Sequence, residues 1–112
     1  MPRRLVILGS TGSIGVQALD VVSRCPDELE VVALAAESAV APLIEQAKQH
    51  GVRRLGLADA DAAALASEAW TDGDVLGGPD GLVRLITEAD ADLVLNAIVG
   101  SAGLVPTVAA LG

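Results

Sequence analysis

A short apolar run, Leu5-Val6-Ile7-Leu8, passes straight into Gly9-Ser10-Thr11-Gly12-Ser13-Ile14-Gly15, and this junction constrains the fold more than any other segment. A buried strand entering a glycine turn and then a helix is the anion-gripping unit of a doubly wound α/β domain that binds dinucleotides. Gly9 and Gly12 tighten the turn and let the backbone approach a phosphate with no side chain in the way. Gly15, one helical turn further on, permits close packing of helix against strand. The first N–H groups of that helix lack intrahelical partners, and the helix dipole adds partial positive charge there. The hydroxyls of Ser10, Thr11 and Ser13 are available to phosphate oxygens. The spacing is G-x-x-G-x-x-G rather than G-x-G-x-x-G. The strand before it and the amphipathic helix after it favour a nucleotide site over a purely structural turn.

The rest of the chain repeats the same alternation. A first helix is expected from Ser13 to Arg24, ended by Pro26-Asp27. A second parallel strand runs from Leu29 to Ala35, where Val31-Val32-Ala33-Leu34 forms a continuous apolar run. A second helix follows from Ala41 to His50, closed by Gly51. Arg54 to Ala58 reads as a weaker third strand, and Asp59 caps an alanine-rich third helix reaching Ala69. Trp70 to Gly81 reads as loop with a short strand at most, around Val75-Leu76. A fourth helix spans Gly81 to Glu88, and Leu93 to Asn96 is the fourth strand, with Ile98 to Ser101 as its loop. A last helix is expected from Gly103 or Leu104, with Pro106 in its first turn. The fold is therefore α/β: a Rossmann-like three-layer αβα domain over residues 1–112. Its parallel sheet, of order 3-2-1-4, is incomplete in its C-terminal half. The ligand crevice falls between the carboxyl ends of strands one and four. An edge strand carrying Leu93-Val94-Leu95 is open to another chain, so self-association through it is expected.

Composition narrows the function. Apolar residues make up 52% of the chain and aromatics only 1%, so the core is built from Ala, Val, Leu and Ile. A net charge of −8 argues against a nucleic-acid partner, but backbone amides can still hold a phosphorylated cofactor. Cys25 is the single cysteine, so neither an intrachain disulfide nor a thiolate metal cluster is available. No run is apolar enough for a membrane span and none resembles a secretion signal, which makes a cytoplasmic protein the expectation.

Two strings carry a specific resemblance: Leu8-Gly9-Ser10-Thr11-Gly12-Ser13-Ile14-Gly15 and Leu95-Asn96-Ala97-Ile98-Val99-Gly100-Ser101-Ala102-Gly103-Leu104. With Leu19-Asp20-Val21-Val22, Val31 to Ala36 and Pro106 to Leu111 in the same order, they resemble the N-terminal region of 1-deoxy-D-xylulose 5-phosphate reductoisomerases. The resemblance implies an NADPH-dependent oxidoreductase of the non-mevalonate isoprenoid pathway. Such an enzyme rearranges its substrate and reduces the product to 2-C-methyl-D-erythritol 4-phosphate, with Mg²⁺ or Mn²⁺ as metal in the full-length family. It assigns Thr11, Gly12, Ser13 and Ile14 to the cofactor phosphates, and Ala97, Ile98 and Val99 to a loop further along the crevice. The family's metal-binding and catalytic segments lie beyond Gly112. This chain is therefore expected to be a truncated cofactor-binding domain, inactive alone, with no catalytic or metal residues of its own. His50, lone at a helix end, is not expected to act as acid or base.

Strand two leads into Ala35-Ala36-Glu37-Ser38-Ala39, where the family often has a basic residue, and none of the seven basic residues falls in that stretch. Glu37 lies 22 positions after Gly15, near the roughly 20-residue spacing of an acidic group that hydrogen-bonds a ribose 2′-hydroxyl. A carboxylate there repels a 2′-phosphate, whereas Ser38 can donate to one. NADPH follows from the resemblance, with NADH kept open by Glu37. Two other readings stand beside this one: a stand-alone nucleotide or coenzyme A binding module, and the N-terminal part of another NAD(P)-dependent reductase.

Overall fold

The computed structural model describes residues 2–97 and the backbone of 107–110. The chain alternates β1 (Arg3–Leu8), α1 (Ser13–Ser23), β2 (Leu29–Ala36), α2 (Val40–His50), β3 (Arg54–Leu57), α3 (Ala60–Ala69), β4 (Asp74–Gly77), α4 (Gly78–Glu88) and β5 (Leu93–Asn96), and then adds β6 (Thr107–Ala110). These form one sheet of order β4-β3-β2-β1-β5-β6. Every pairing is parallel except β5 with β6, which is antiparallel.

Successive residues of the central strands are buried because both sheet faces are covered. Leu5 and Ile7 of β1, Leu34 and Ala36 of β2, and Leu55 and Leu57 of β3 point into one core with Leu19 and Val22 of α1, Leu43, Ile44 and Ala47 of α2, and Ala62, Ala63 and Ala66 of α3. The alternate residues Val6, Ala33 and Ala35 face the other way, onto Leu85 of α4 and Ala89 at its C-terminal end. Thus α1, α2 and α3 cover one face and α4 the other. Small alanines on α3 and β2 let helix and sheet approach closely, and Trp70, the one aromatic residue, is buried in the same core at the end of α3, beyond the Ala, Val, Leu and Ile expected from composition.

This division places the functional end of the sheet. From β1 the chain crosses to β2 over the first face, whereas it reaches β5 from β4 over the second. Opposite crossovers leave a gap at the carboxyl ends of β1 and β5, the topological switch point of an open α/β sheet.

Two sequence expectations change. The short strand allowed around Val75-Leu76 forms as β4 and extends the 3-2-1-4 order by one parallel strand beyond β3. The helix expected from Gly103 or Leu104 is not continued at residues 107–110, which are strand instead. Its proposed start, with Pro106, lies outside the described residues. The reason is the unpaired outer side of β5. Thr107 and Val108 are β-branched strand formers, and their segment pairs with β5 from Asn96↔Thr107 to Leu93↔Ala110. The Leu93-Val94-Leu95 edge expected to recruit another chain is therefore already occupied by β6.

Candidate functional site

The glycine loop is held by backbone before any side chain is considered. Gly9 takes a left-handed φ of 79°, a region L-residues rarely adopt. The turn brings the Gly9 and Ser10 N–H groups onto one acceptor, the Ala35 carbonyl of β2, at 2.7 and 3.0 Å. The Gly12 N–H donates back to the Gly9 carbonyl at 3.2 Å. A Cβ on Gly15 would overlap the Gly9 carbonyl oxygen and the Ser10 backbone, so the start of α1 sits directly on the loop. Gly12 differs. A Cβ there meets only the Gly9 oxygen at 3.5 Å, and its φ of −75° suits any residue. The fold does not require glycine at 12; what its bare backbone provides is open space.

Gly12 is also the N-cap of α1. It supplies no capping side chain, and the first turn holds no acidic residue. By contrast, the Asp59 side chain caps α3, accepting from the Asp61 and Ala62 N–H groups at 2.9 and 3.4 Å. The leading N–H groups of α1, which have no intrahelical acceptor by helix geometry, therefore face a space with neither a capping oxygen nor a carboxylate from their own turn.

That space is an open cleft of about 590 Å³, within the range of small-molecule sites. Gly9, Thr11, Gly12 and Ser13 form one wall, and Ala35, Ala36 and Glu37 another. Ala58, Leu82 and Ala97 complete it. The Ala97 N–H donates to the Leu8 carbonyl at 2.8 Å, and the Asp59 N–H to the Glu37 carbonyl at 2.9 Å, so strand-like pairing carries both rims past the ends of the strands. Polar backbone thus lines one end of the cleft and small apolar side chains its floor. Such a surface suits an anion followed by a flat apolar group.

Of the residues singled out in the sequence, Gly9, Thr11, Gly12, Ser13, Glu37 and Ala97 come together in this cleft. Ile14 is half-buried and Ser38 exposed, and neither lines it. Ile98 and Val99 lie outside the described residues. Ser10 is a correction. Its side chain is fully buried and turned away, donating to the Gln46 side chain of α2, because a buried hydroxyl must find a partner inside the fold. Ala58 and Leu82 were missed: Ala58 continues β3 past its end, its N–H donating to the Ala36 carbonyl at 3.1 Å, and the packing of α4 brings Leu82 to the rim. Gln46 carried a readable signal, a polar residue on the helix face that also presents Leu43 and Ala47.

The charges are arranged unevenly. Among the described residues, Glu37 is the one charged residue lining the cleft, and none of the seven basic residues lines it. Arg3 and Arg4 open β1, Arg24 ends α1, and Lys48 lies in the last turn of α2. Arg54 and Arg84 meet Glu88 near the end of α4, at 3.5 and 3.1 Å. His50 closes α2 at that same far end. Among the described residues, no three His, Cys, Asp or Glu side chains lie together as metal donors, and no helix is long and apolar enough to cross a membrane.

A family model described as 1-deoxy-D-xylulose 5-phosphate reductoisomerase matches residues 5–112. The chain belongs to this reductoisomerase family. It is 49% identical over 111 residues to the 1-deoxy-D-xylulose 5-phosphate reductoisomerase of Rhodococcus jostii (strain RHA1), covering 98% of this chain and 27% of that protein. With the reductoisomerase of Mycobacterium marinum (strain ATCC BAA-535 / M) it shares 50% identity over 110 residues, 96% of this chain and 26% of the other. The chain therefore spans about a quarter of the length of these relatives. Among solved structures, the reductoisomerase from Zymomonas mobilis in complex with NADPH superposes with a TM-score of 0.80 at 35% identity, over 92% of this chain and 28% of that one. A DOX-P reductoisomerase in complex with NADPH, fosmidomycin and magnesium gives a TM-score of 0.80 at 33% identity, over 91% of this chain and 26% of that one. The Rossmann-like α/β architecture is thus shared with reductoisomerases solved with the dinucleotide bound.

Proposed function

We propose that residues 1–112 form the dinucleotide-binding domain of a cytoplasmic, NADPH-dependent reductoisomerase. Its reaction rearranges 1-deoxy-D-xylulose 5-phosphate and reduces the product to 2-C-methyl-D-erythritol 4-phosphate in isoprenoid biosynthesis. One observation carries the reading. The uncapped N-terminus of α1 and the bare Gly12 backbone face a cleft at the switch point of the sheet.

In this reading Thr11, Gly12, Ser13 and Ile14 hold the pyrophosphate, chiefly through the leading backbone N–H groups of α1, which have no intrahelical acceptor, while Gly12, whose own N–H is taken by the Gly9 carbonyl, contributes open space. The Thr11 and Ser13 hydroxyls add side-chain donors. Ala35, Ala36, Ala58 and Leu82 give the adenosine half an apolar seat, and Ala97, with Ile98 and Val99, lines the path toward the nicotinamide. When bound, the cofactor supplies the hydride. The described residues offer no donor set for the divalent metal, so no part of the reaction is routed through one here.

Glu37 supports a second reading at the ribose. Among the described residues it is the only charged one on the cleft wall, with no cation lining it, and a carboxylate accepts from a 2′-hydroxyl but repels a 2′-phosphate. A paired fluorescence titration with NADPH and NADH tests both. Saturable binding preferring NADPH is the expected result. A preference for NADH gives Glu37 to the ribose hydroxyls, and failure to bind either dinucleotide overturns the proposal.

A further inference from the structure

Ser10 has no route to the cleft, yet every polar group it owns is engaged. Its N–H donates to the Ala35 carbonyl of β2 at 3.0 Å. Its hydroxyl donates to Gln46 Oε1 at 2.8 Å. Its carbonyl accepts from Gln46 Nε2, also at 2.8 Å. Ser10 is the one fully buried polar residue among those described, and no buried side-chain polar atom there lacks a partner. A helix face packed through Leu43, Ile44 and Ala47 would ordinarily continue with another apolar residue. A primary amide does what an apolar side chain cannot. It accepts from a hydroxyl and donates to a carbonyl at once, matching both groups of a single serine.

The carbonyl half of this clasp has a consequence one residue later. In a planar trans peptide, the carbonyl of one residue and the N–H of the next point in opposite directions. With the Ser10 carbonyl drawn inward to α2, the Thr11 N–H is turned outward, on the side where Thr11 lines the cleft. If the clasp opens, that peptide can rotate and withdraw the donor. The clasp also ties the glycine loop to α2, the helix that follows Glu37 and Ser38.

We propose that Gln46 is a positioning residue for dinucleotide binding, holding the Ser10 carbonyl inward so that the Thr11 N–H faces the cofactor phosphates. This rests on the dinucleotide reading above. The probe is NADP⁺, which tolerates acid, titrated by calorimetry into the native chain and the variants Gln46→Leu and Gln46→Glu. Amide hydrogen exchange without cofactor accompanies the titrations. Gln46→Leu should weaken NADP⁺ binding about tenfold or more, about 1.4 kcal/mol. It should also speed exchange at residues 9–13 while β3, α3 and β4 exchange as in the native chain. Gln46→Glu supplies the readout a merely structural role would not move. At about pH 8 the introduced carboxylate opposes the Ser10 carbonyl and binding is weak; partial burial and the facing Ser10 carbonyl favour the protonated carboxyl, so near pH 5 a donor is restored and binding returns toward the native value at the same pH. It also keeps the test open should Gln46→Leu fail to fold. Native-like affinity of Gln46→Glu at both pH values, or unchanged exchange at residues 9–13 in folded Gln46→Leu, overturns the proposal. No binding by the native chain overturns the dinucleotide reading instead, and the exchange data then decide separately whether the clasp holds the loop.

Discussion

In the proposed dinucleotide site, Glu37 is the residue on which cofactor choice should turn. It ends the polar wall of the cleft where β2 gives way to α2, and no cation lies among the lining residues to offset it. Removing its charge while keeping its shape isolates the electrostatic effect. Gln in its place should tighten NADPH binding about tenfold, about 1.4 kcal/mol, and leave NADH unchanged or slightly weaker. Parallel titrations of native and Glu37→Gln protein with both cofactors check this, and an equal effect on the two would show that the carboxylate points away from the ribose. That Gly9, Thr11, Gly12 and Ser13 line the cleft was readable without coordinates, because glycines after a buried strand dictate the path of the backbone. Ser10 was not. The same string fits a hydroxyl turned outward or inward, and what settles the direction is a glutamine 36 residues away.

At the scale of elements, α1 carries the clearest conflict between local stability and binding. Its N-cap, Gly12, has extended φ and ψ of −75° and 169°, the conformation in which Asp or Ser caps a helix best. A Cβ has room there. Gly12→Asp should therefore leave the chain as stable or raise stability by about 0.5 kcal/mol, because the new carboxylate satisfies the first amides. The same carboxylate fills the phosphate position, so NADPH binding should be lost. Thermal melts and cofactor titration on the same sample read the two effects, and binding that survives with a raised Tm would remove α1 from the site. The elements themselves were mostly legible, since Val31 to Leu34 and the alanines of α3 show their periods plainly. The last segment was not, because local pattern at Thr107 to Ala110 leaves strand and helix open and the vacant side of β5 decides. Leu82 was hidden for a related reason, as no local pattern says which residue of α4 overhangs the cleft.

For the whole molecule, β6 turns an exposed parallel edge into a covered one. Neighbouring residues of an edge strand direct their N–H groups alternately toward and away from the sheet, so either Val108 or Ala109 donates to β5. Replacing both by proline removes that donor whichever it is. Light scattering should then show concentration-dependent association of the double variant through Leu93 to Asn96, while the native chain stays at lower mass; equal masses would mean that β6 is not what protects the edge. Architecture at this scale was the most legible part, because right-handed crossovers leave few ways to stack alternating strands and helices.

The exile of every positive side chain from the cleft also bears on speed. The proposed dinucleotide is an anion, and it would approach a chain of net charge −8 whose arginines and lysine all lie away from the cleft. Long-range forces therefore oppose the encounter, and only short-range amides reward arrival. Added salt screens that repulsion, with a Debye length falling from about 30 Å at 0.01 M to about 10 Å at 0.1 M. In stopped-flow mixing the association rate constant should rise with ionic strength, the reverse of a site fed by a basic funnel.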